Sequence, residues 1–162
     1  MTRAAEPLAG FHMEIPVRFS ECDLYGVVWH GRYAIYLEEI RNAICVRYGW
    51  TVDRARQEGY LIPVTRLEIE FRAPARVDTR LQVTARLRPP DVARFAMDYE
   101  IREGNGTLLT RAATEQVVTR LDGELLVSLP AFLRTLAQSI LRGQDDPRER
   151  ELGPRGGPAP ES

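Results

Sequence analysis

The chain has 162 residues, with 22 basic and 23 acidic side chains and a formal charge of −1. That length suits one domain with a core of its own, and the near-neutral balance excludes the broad basic field that nucleic-acid binding needs. Hydrophobic residues make up 44% and charged residues 28%, a soluble globular balance, and no run of about 18 apolar residues is present to form a spanning helix.

Residues 1–10 lack the apolar stretch of a signal peptide and read as a flexible N-terminus. Residues 12–19 alternate as a first strand, with Pro16 placing it near an edge or a start. Residues 20–29 form a loop that holds Asp23 and Gly26. From Tyr33 the period changes: Tyr33, Tyr36, Leu37, Ile40 and Ile44 recur at three and four, a helical stripe, and Gly49 ends that helix. Residues 53–58 form a short second helix. Strands follow over 61–71, 76–87, 92–101, 107–119 and 124–129, with turns at Asn105-Gly106 and Asp122-Gly123. Pro130 opens a last helix over 131–141. Residues 142–162, rich in proline and glycine toward their end, read as a disordered tail whose removal leaves stability unchanged. The working domain is 11–141.

This order predicts an α+β domain, with one long helix covering the apolar face of an antiparallel sheet and a second subunit covering the rest. Cys22 and Cys45 form no disulfide framework, so a cytoplasmic location is expected. Two histidines and two isolated cysteines are too few for a zinc site, and no cofactor is implied.

The chemistry concentrates in residues 21–33, between the first strand and the long helix. Asp23 precedes His30 in a loop too apolar for a plain linker, and Gly26 permits a tight turn. The first amides of the helix have no internal acceptor and carry partial positive charge. A carboxylate beside such donors suits acyl transfer: the donors hold a developing oxyanion, and the carboxylate attacks or activates water. The plainer reading makes Asp23 a turn or capping residue, His30 a surface histidine, and Tyr25 and Trp29 core. There is no G-x-S-x-G elbow, and the acidic neighbours of Cys22 raise its pKa rather than activate it.

Phe19, Glu21, Cys22, Asp23, Gly26, Val27, Val28, Trp29, His30 and Tyr33 together resemble the signature of the hotdog-fold acyl-CoA thioesterases, above all the 4-hydroxybenzoyl-CoA and Tol-Pal-associated groups. Glu38 and Arg41 match that family's E-x-x-R. Residues 70–78, with Glu70, Phe71, Ala73, Pro74, Ala75, Arg76 and Asp78, look like its second motif. The likeness spans residues 12–135.

The resemblance implies a long central helix wrapped by a curved antiparallel sheet, with subunits pairing into dimers or tetramers and active sites at the dimer interface. It implies catalytic roles for Asp23 and His30, the backbone at His30 polarising the thioester carbonyl. Tyr25, Gly26, Val28, Trp29, Gly31 and Tyr33 would shape the substrate site. Arg72, Arg76 and Arg88 are candidates for the phosphates of coenzyme A, since arginine matches phosphate geometry. Arg32 departs from the family's Asn or Ser and leaves acyl preference open. The expected function is hydrolysis of an aromatic or short-to-medium acyl-CoA. The alternatives are release of a polyketide or fatty acyl chain from an acyl carrier protein, and a non-catalytic acyl-binding scaffold.

Overall fold

The computed structural model describes residues 6–153. β1 (Phe11–Pro16) leads through a single 3-10 turn at Phe19–Glu21 to α1 (Arg32–Arg47). α2 (Val52–Glu58) and β2 (Tyr60–Leu61) precede β3 (Val64–Phe71), β4 (Arg80–Leu87), β5 (Arg94–Glu103) and β6 (Leu108–Val117). β7 (Thr119–Arg120) and α3 (Ala131–Asp145) follow. Five strands form one antiparallel sheet in the order β1-β4-β5-β6-β3, and β2 pairs separately with β7.

Alternation builds the inner face of the sheet. Phe11, Met13 and Ile15 of β1 stand opposite Ala85, Val83 and Leu81 of β4, and these stand in turn opposite Tyr99, Ile101 and Glu103 of β5. All but Glu103 are buried. The face they make is covered by α1, whose buried residues are Tyr33, Tyr36, Leu37, Ile40 and Ile44, the stripe predicted from spacing. This is the α+β hotdog fold, a long helix wrapped by a curved antiparallel sheet. β3 is the open edge: Val64, Leu67 and Phe71 are all more than two-fifths exposed.

Several boundaries differ from the sequence reading. The segment 124–129 makes only an isolated bridge between Thr119 and Leu125, not a strand. The strand expected from Arg76 begins at Arg80, because the chain before it turns through Asp78 at a φ of 60°. α3 runs to Asp145 rather than Leu141 and buries Leu133, Leu136, Ala137, Ile140, Gly143 and Gln144, so a second helix shares the covering role given to α1 alone.

The expected ends of the domain also move outward. Leu8 donates its amide to Glu100 at 3.0 Å, and Gly10 sits so close to β4 that a Cβ there would lie 2.2 Å from the Ala85 carbonyl oxygen. Residues 8–10 are thus held on the sheet. After α3, the His12 amide donates to the Arg150 carbonyl at 2.8 Å and Leu152 donates to the His12 carbonyl at 2.9 Å, a parallel bridge on the outer edge of β1. Arg47 donates to the Glu149 and Glu151 carbonyls, and Leu152 is buried. Residues 142–145 are therefore the last turn of α3, and 146–153 a packed strap. The rest of the expected tail, and residues 1–5, lie outside the described residues.

Candidate active site

The stretch read as a loop is a tight hairpin. Trp29 donates its amide to the Glu21 carbonyl at 2.9 Å, and Asp23 donates to the Val27 carbonyl at 2.8 Å. Cys22 and Val28 pair between them. Gly26, at a φ of 72°, closes the turn, in a conformation that L side chains adopt only under strain. Asp23 adds a bond of its own: its Oδ1 accepts the Tyr25 amide at 2.8 Å. This is an Asx turn, so the turn role weighed against a chemical one for Asp23 is real.

The hairpin is then stitched to residues 75–77. Val28 donates to the Ala75 carbonyl at 2.9 Å, Val77 donates to the Gly26 carbonyl at 3.4 Å, and Val27 bridges Arg76. The Tyr33 hydroxyl accepts the Ala75 amide at 3.1 Å. The two sequence motifs, some fifty residues apart, are thus hydrogen-bonded neighbours. Tyr33 is buried; burial pushes its hydroxyl pKa up, with the Ala75 amide opposing. Its hydroxyl is a structural tie between α1 and the second motif.

The chain from Trp29 to Gly31 leads by a turn into α1, with Gly31 as its cap. Arg32 donates to the Trp29 carbonyl at 2.8 Å, and Tyr33 lies 3.4 Å from the His30 carbonyl. Among the described residues, the amides of His30 and Gly31 have no acceptor. Trp29 lies beside His30, ring centroids 4.9 Å apart. Its indole covers Gly31 so closely that a Cβ there would fall 2.2 Å from the ring, which accounts for glycine at this position.

A cavity of about 270 Å³ opens here, lined by Val28, His30, Tyr33, Phe71, Arg72, Ala73 and Pro74. It gathers His30, Val28, Tyr33 and Arg72 of the expected site. Asp23, Tyr25, Gly26, Trp29, Gly31 and Arg76 are outside its lining, and Tyr25 is 87% exposed. Of the candidate phosphate ligands, Arg72 pairs with Glu70 at 2.7 Å. Arg88 is committed to Asp98 of β5 through a forked contact, which also raises its pKa, so it is a strand-to-strand tie. Arg76 has no ion-pair partner among the described residues.

Cys22 and Cys45 are both unpaired thiols. Burial first, then the charges of Asp23 and Glu21, push the Cys22 thiol up, which fits the expectation that it is not an activated nucleophile. The sequence reading missed Glu21 as more than a motif letter. Its side chain is buried, and its Oε2 accepts the Arg18 amide at 2.9 Å and the Tyr36 hydroxyl at 3.0 Å. A lone glutamate ahead of a loop carries no sequence signal of burial.

Residues 17–136 match the family model of the thioesterase-like superfamily. The 1,4-dihydroxy-2-naphthoyl-CoA hydrolase of Thermosynechococcus vestitus is 26% identical over 136 residues, covering 80% of this chain and 92% of that protein. The chloroplastic acyl-acyl carrier protein thioesterase ATL3 of Arabidopsis thaliana is 28% identical over 100 residues, 61% of this chain and 53% of that protein. Among solved structures, Slr0204, a 1,4-dihydroxy-2-naphthoyl-CoA thioesterase from Synechocystis, superposes with a TM-score of 0.73 at 26% identity, covering 85% of this chain and 98% of that one. With the family model spanning most of the sequence and the hairpin, helix start and second motif meeting in one place, the chain belongs to the thioesterase-like superfamily and is a hotdog-fold thioesterase.

Proposed function

We propose that this chain hydrolyses acyl-CoA thioesters, with Asp23 as the catalytic carboxylate and the amides at the start of α1 as oxyanion donors. The observation that carries the reading is the pair of acceptor-free amides at His30, which lines the cavity, and at its neighbour Gly31, both following the hairpin that holds Asp23. Donors with no internal partner are ready to bind charge as it develops on a thioester oxygen. Asp23 keeps one carboxylate oxygen beyond the one bonded to Tyr25. That carboxylate either attacks the thioester carbon, giving a mixed anhydride that water then cleaves, or takes a proton from water as it attacks. In both routes the C–S bond breaks and the thiolate leaves as coenzyme A. The His30 side chain, exposed at the cavity, holds water or substrate.

The acyl group is aromatic or short-to-medium, a reading that Tyr33 and Phe71 on the cavity wall support. The names of the naphthoyl-CoA relatives support an aromatic acyl group. Arg76 suits a phosphate of the substrate, free as it is of any carboxylate among the described residues. The working unit is a homodimer or homotetramer: β3 ends the sheet with an unpaired edge and half-exposed Leu67 and Phe71, and an edge of that kind is covered in a stable protein. The unpaired cysteines favour a reducing cytoplasm. No helix of the described residues is long and apolar enough to cross a membrane.

The test is thiol release from benzoyl-CoA, 4-hydroxybenzoyl-CoA and short, medium and long acyl-CoA, with Asp23→Asn beside the parent and light scattering on both. Turnover by an oligomeric parent and its loss in the variant is the expected result. Turnover only of acyl carrier protein thioesters moves the substrate to the second class, which the likeness to ATL3 favours. Silence with both classes, from a folded oligomer, refutes hydrolysis.

A further inference from the structure

We propose that Glu21 is the positioning residue of this site, setting the direction of the His30 amide and the place of Asp23 without touching substrate; the proposal rests on the thioesterase reading above. Glu21 is only 4% exposed. A buried carboxylate is costly unless its oxygens are satisfied, so a side chain kept only to fill this space would be apolar. Two hydrogen bonds converge on one of its oxygens. Oε2 accepts the Arg18 amide at 2.9 Å, where the chain turns into the hairpin, and the Tyr36 hydroxyl at 3.0 Å, from the buried face of α1. Its main-chain carbonyl accepts the Trp29 amide at 2.9 Å, on the returning arm. One residue thus fastens the outgoing arm, the returning arm and the central helix.

The consequence falls on His30. The peptide group between Trp29 and His30 has its carbonyl oxygen held by the Arg32 amide at 2.8 Å, and the amide before it held by Glu21. With those two anchors set, the N–H of His30 has one direction, outward and without an acceptor among the described residues. Asp23 follows Glu21 by two residues on the same arm, paired with Val27. Releasing Glu21 from Tyr36 frees both groups to drift, and drift of donor or carboxylate lowers the rate of the bound complex more than it weakens binding.

The experiment compares Glu21→Met, Glu21→Gln and Tyr36→Phe with the parent, reading kcat and KM separately on the most active thioester together with hydrogen exchange of the Trp29 and His30 amides. Methionine removes the acceptor and keeps the length. Glutamine keeps one oxygen able to accept from both Arg18 and Tyr36. The expected result is a kcat about 10- to 100-fold lower in Glu21→Met with KM changed less than about threefold, faster exchange at Trp29 and His30, and recovery of both in Glu21→Gln. Tyr36→Phe, which deletes a single hydroxyl, falls between, and it carries the test if Glu21→Met does not fold. A glutamine variant as impaired as methionine overturns the proposal, since charge and not acceptor geometry would then be at work. Parent-like kcat and parent-like exchange in Glu21→Met overturn it as well. If the parent turns over no thioester, the reading of function fails, and the exchange data with their glutamine rescue still decide whether Glu21 fixes the hairpin.

Discussion

The Asp23 carboxylate accepts the backbone amide of Tyr25 at 2.8 Å, so the group assigned to the chemistry also shapes the turn that carries it. The two roles separate by substitution. Asn retains an oxygen for the Tyr25 amide and loses the negative charge; Ala loses both. Asp23→Asn is expected to melt within about 1 °C of the parent and to lose about 10²- to 10⁴-fold in kcat. Asp23→Ala loses the same activity and about 1 kcal/mol more stability, about 2–4 °C for a chain of this size. Steady-state thiol release and thermal melts check both. An Asn variant with parental kcat removes Asp23 from the chemistry.

Tyr33 gives the second prediction. Its hydroxyl is the acceptor for the buried Ala75 amide at 3.1 Å, and its ring packs edge-on against Phe71 at 5.0 Å. Tyr33→Phe keeps the ring and leaves the amide without a partner, at a cost of about 1–3 kcal/mol. Denaturant unfolding is expected to show a lower midpoint with an unchanged slope. An unchanged midpoint would mean that the bond between α1 and the second motif contributes nothing net.

Much of this architecture was legible in the sequence because periodicity records burial directly. The stripe from Tyr33 to Ile44 and the alternation of Leu81, Val83, Ala85 and Leu87 both bury as spaced. What spacing does not record is backbone pairing. The hairpin from Glu21 to Trp29 is held by main-chain bonds, so its residues follow no simple apolar pattern. The partnership of Val28 with Ala75 joins segments far apart in the chain. Glu21 and Gln144 are buried polar groups whose partners lie elsewhere in the fold, and single-residue composition reads both as surface. Arg88 is a third case: it is a basic residue at a strand end, and the carboxylate it binds stands on the adjacent strand, a pairing that spacing along one strand does not record.

Alkaline pH is expected to destabilise the fold through α1 and its C-terminal end. Burial pushes the Cys45 thiol from its ordinary value of 9.0 up to about 11. Burial, then the hydrogen bond and charge of Glu149, push the Tyr48 hydroxyl from 10.0 up to about 12. Both groups are neutral when protonated, and the folded state holds those protons more tightly than the unfolded chain. Their contribution is complete below the unfolded values and is lost as pH rises through the folded ones. The melting temperature therefore stays level up to about pH 9 and falls beyond it. In Cys45→Ala and Tyr48→Phe that fall is shallower; a slope as steep as the parent's in both variants would show that other groups govern it.

The strap after α3 carries the last prediction. A tail that packed against nothing would be removable without cost. Here the Arg150 carbonyl accepts the His12 amide at 2.8 Å and Leu152 donates to the His12 carbonyl at 2.9 Å, and the Leu152 side chain is buried. Leu152→Ala is expected to cost about 2–5 kcal/mol. Deleting residues 146–162 removes that side chain and the backbone partner of His12 together, and bares the outer edge of β1 as a template for other strands. The deletion is expected to melt at least as low as Leu152→Ala and to elute in larger, concentration-dependent species that the point variant does not form. If instead the shortened chain melts with the parent and keeps its size in light scattering, the strap adds neither stability nor protection, and the domain ends with α3.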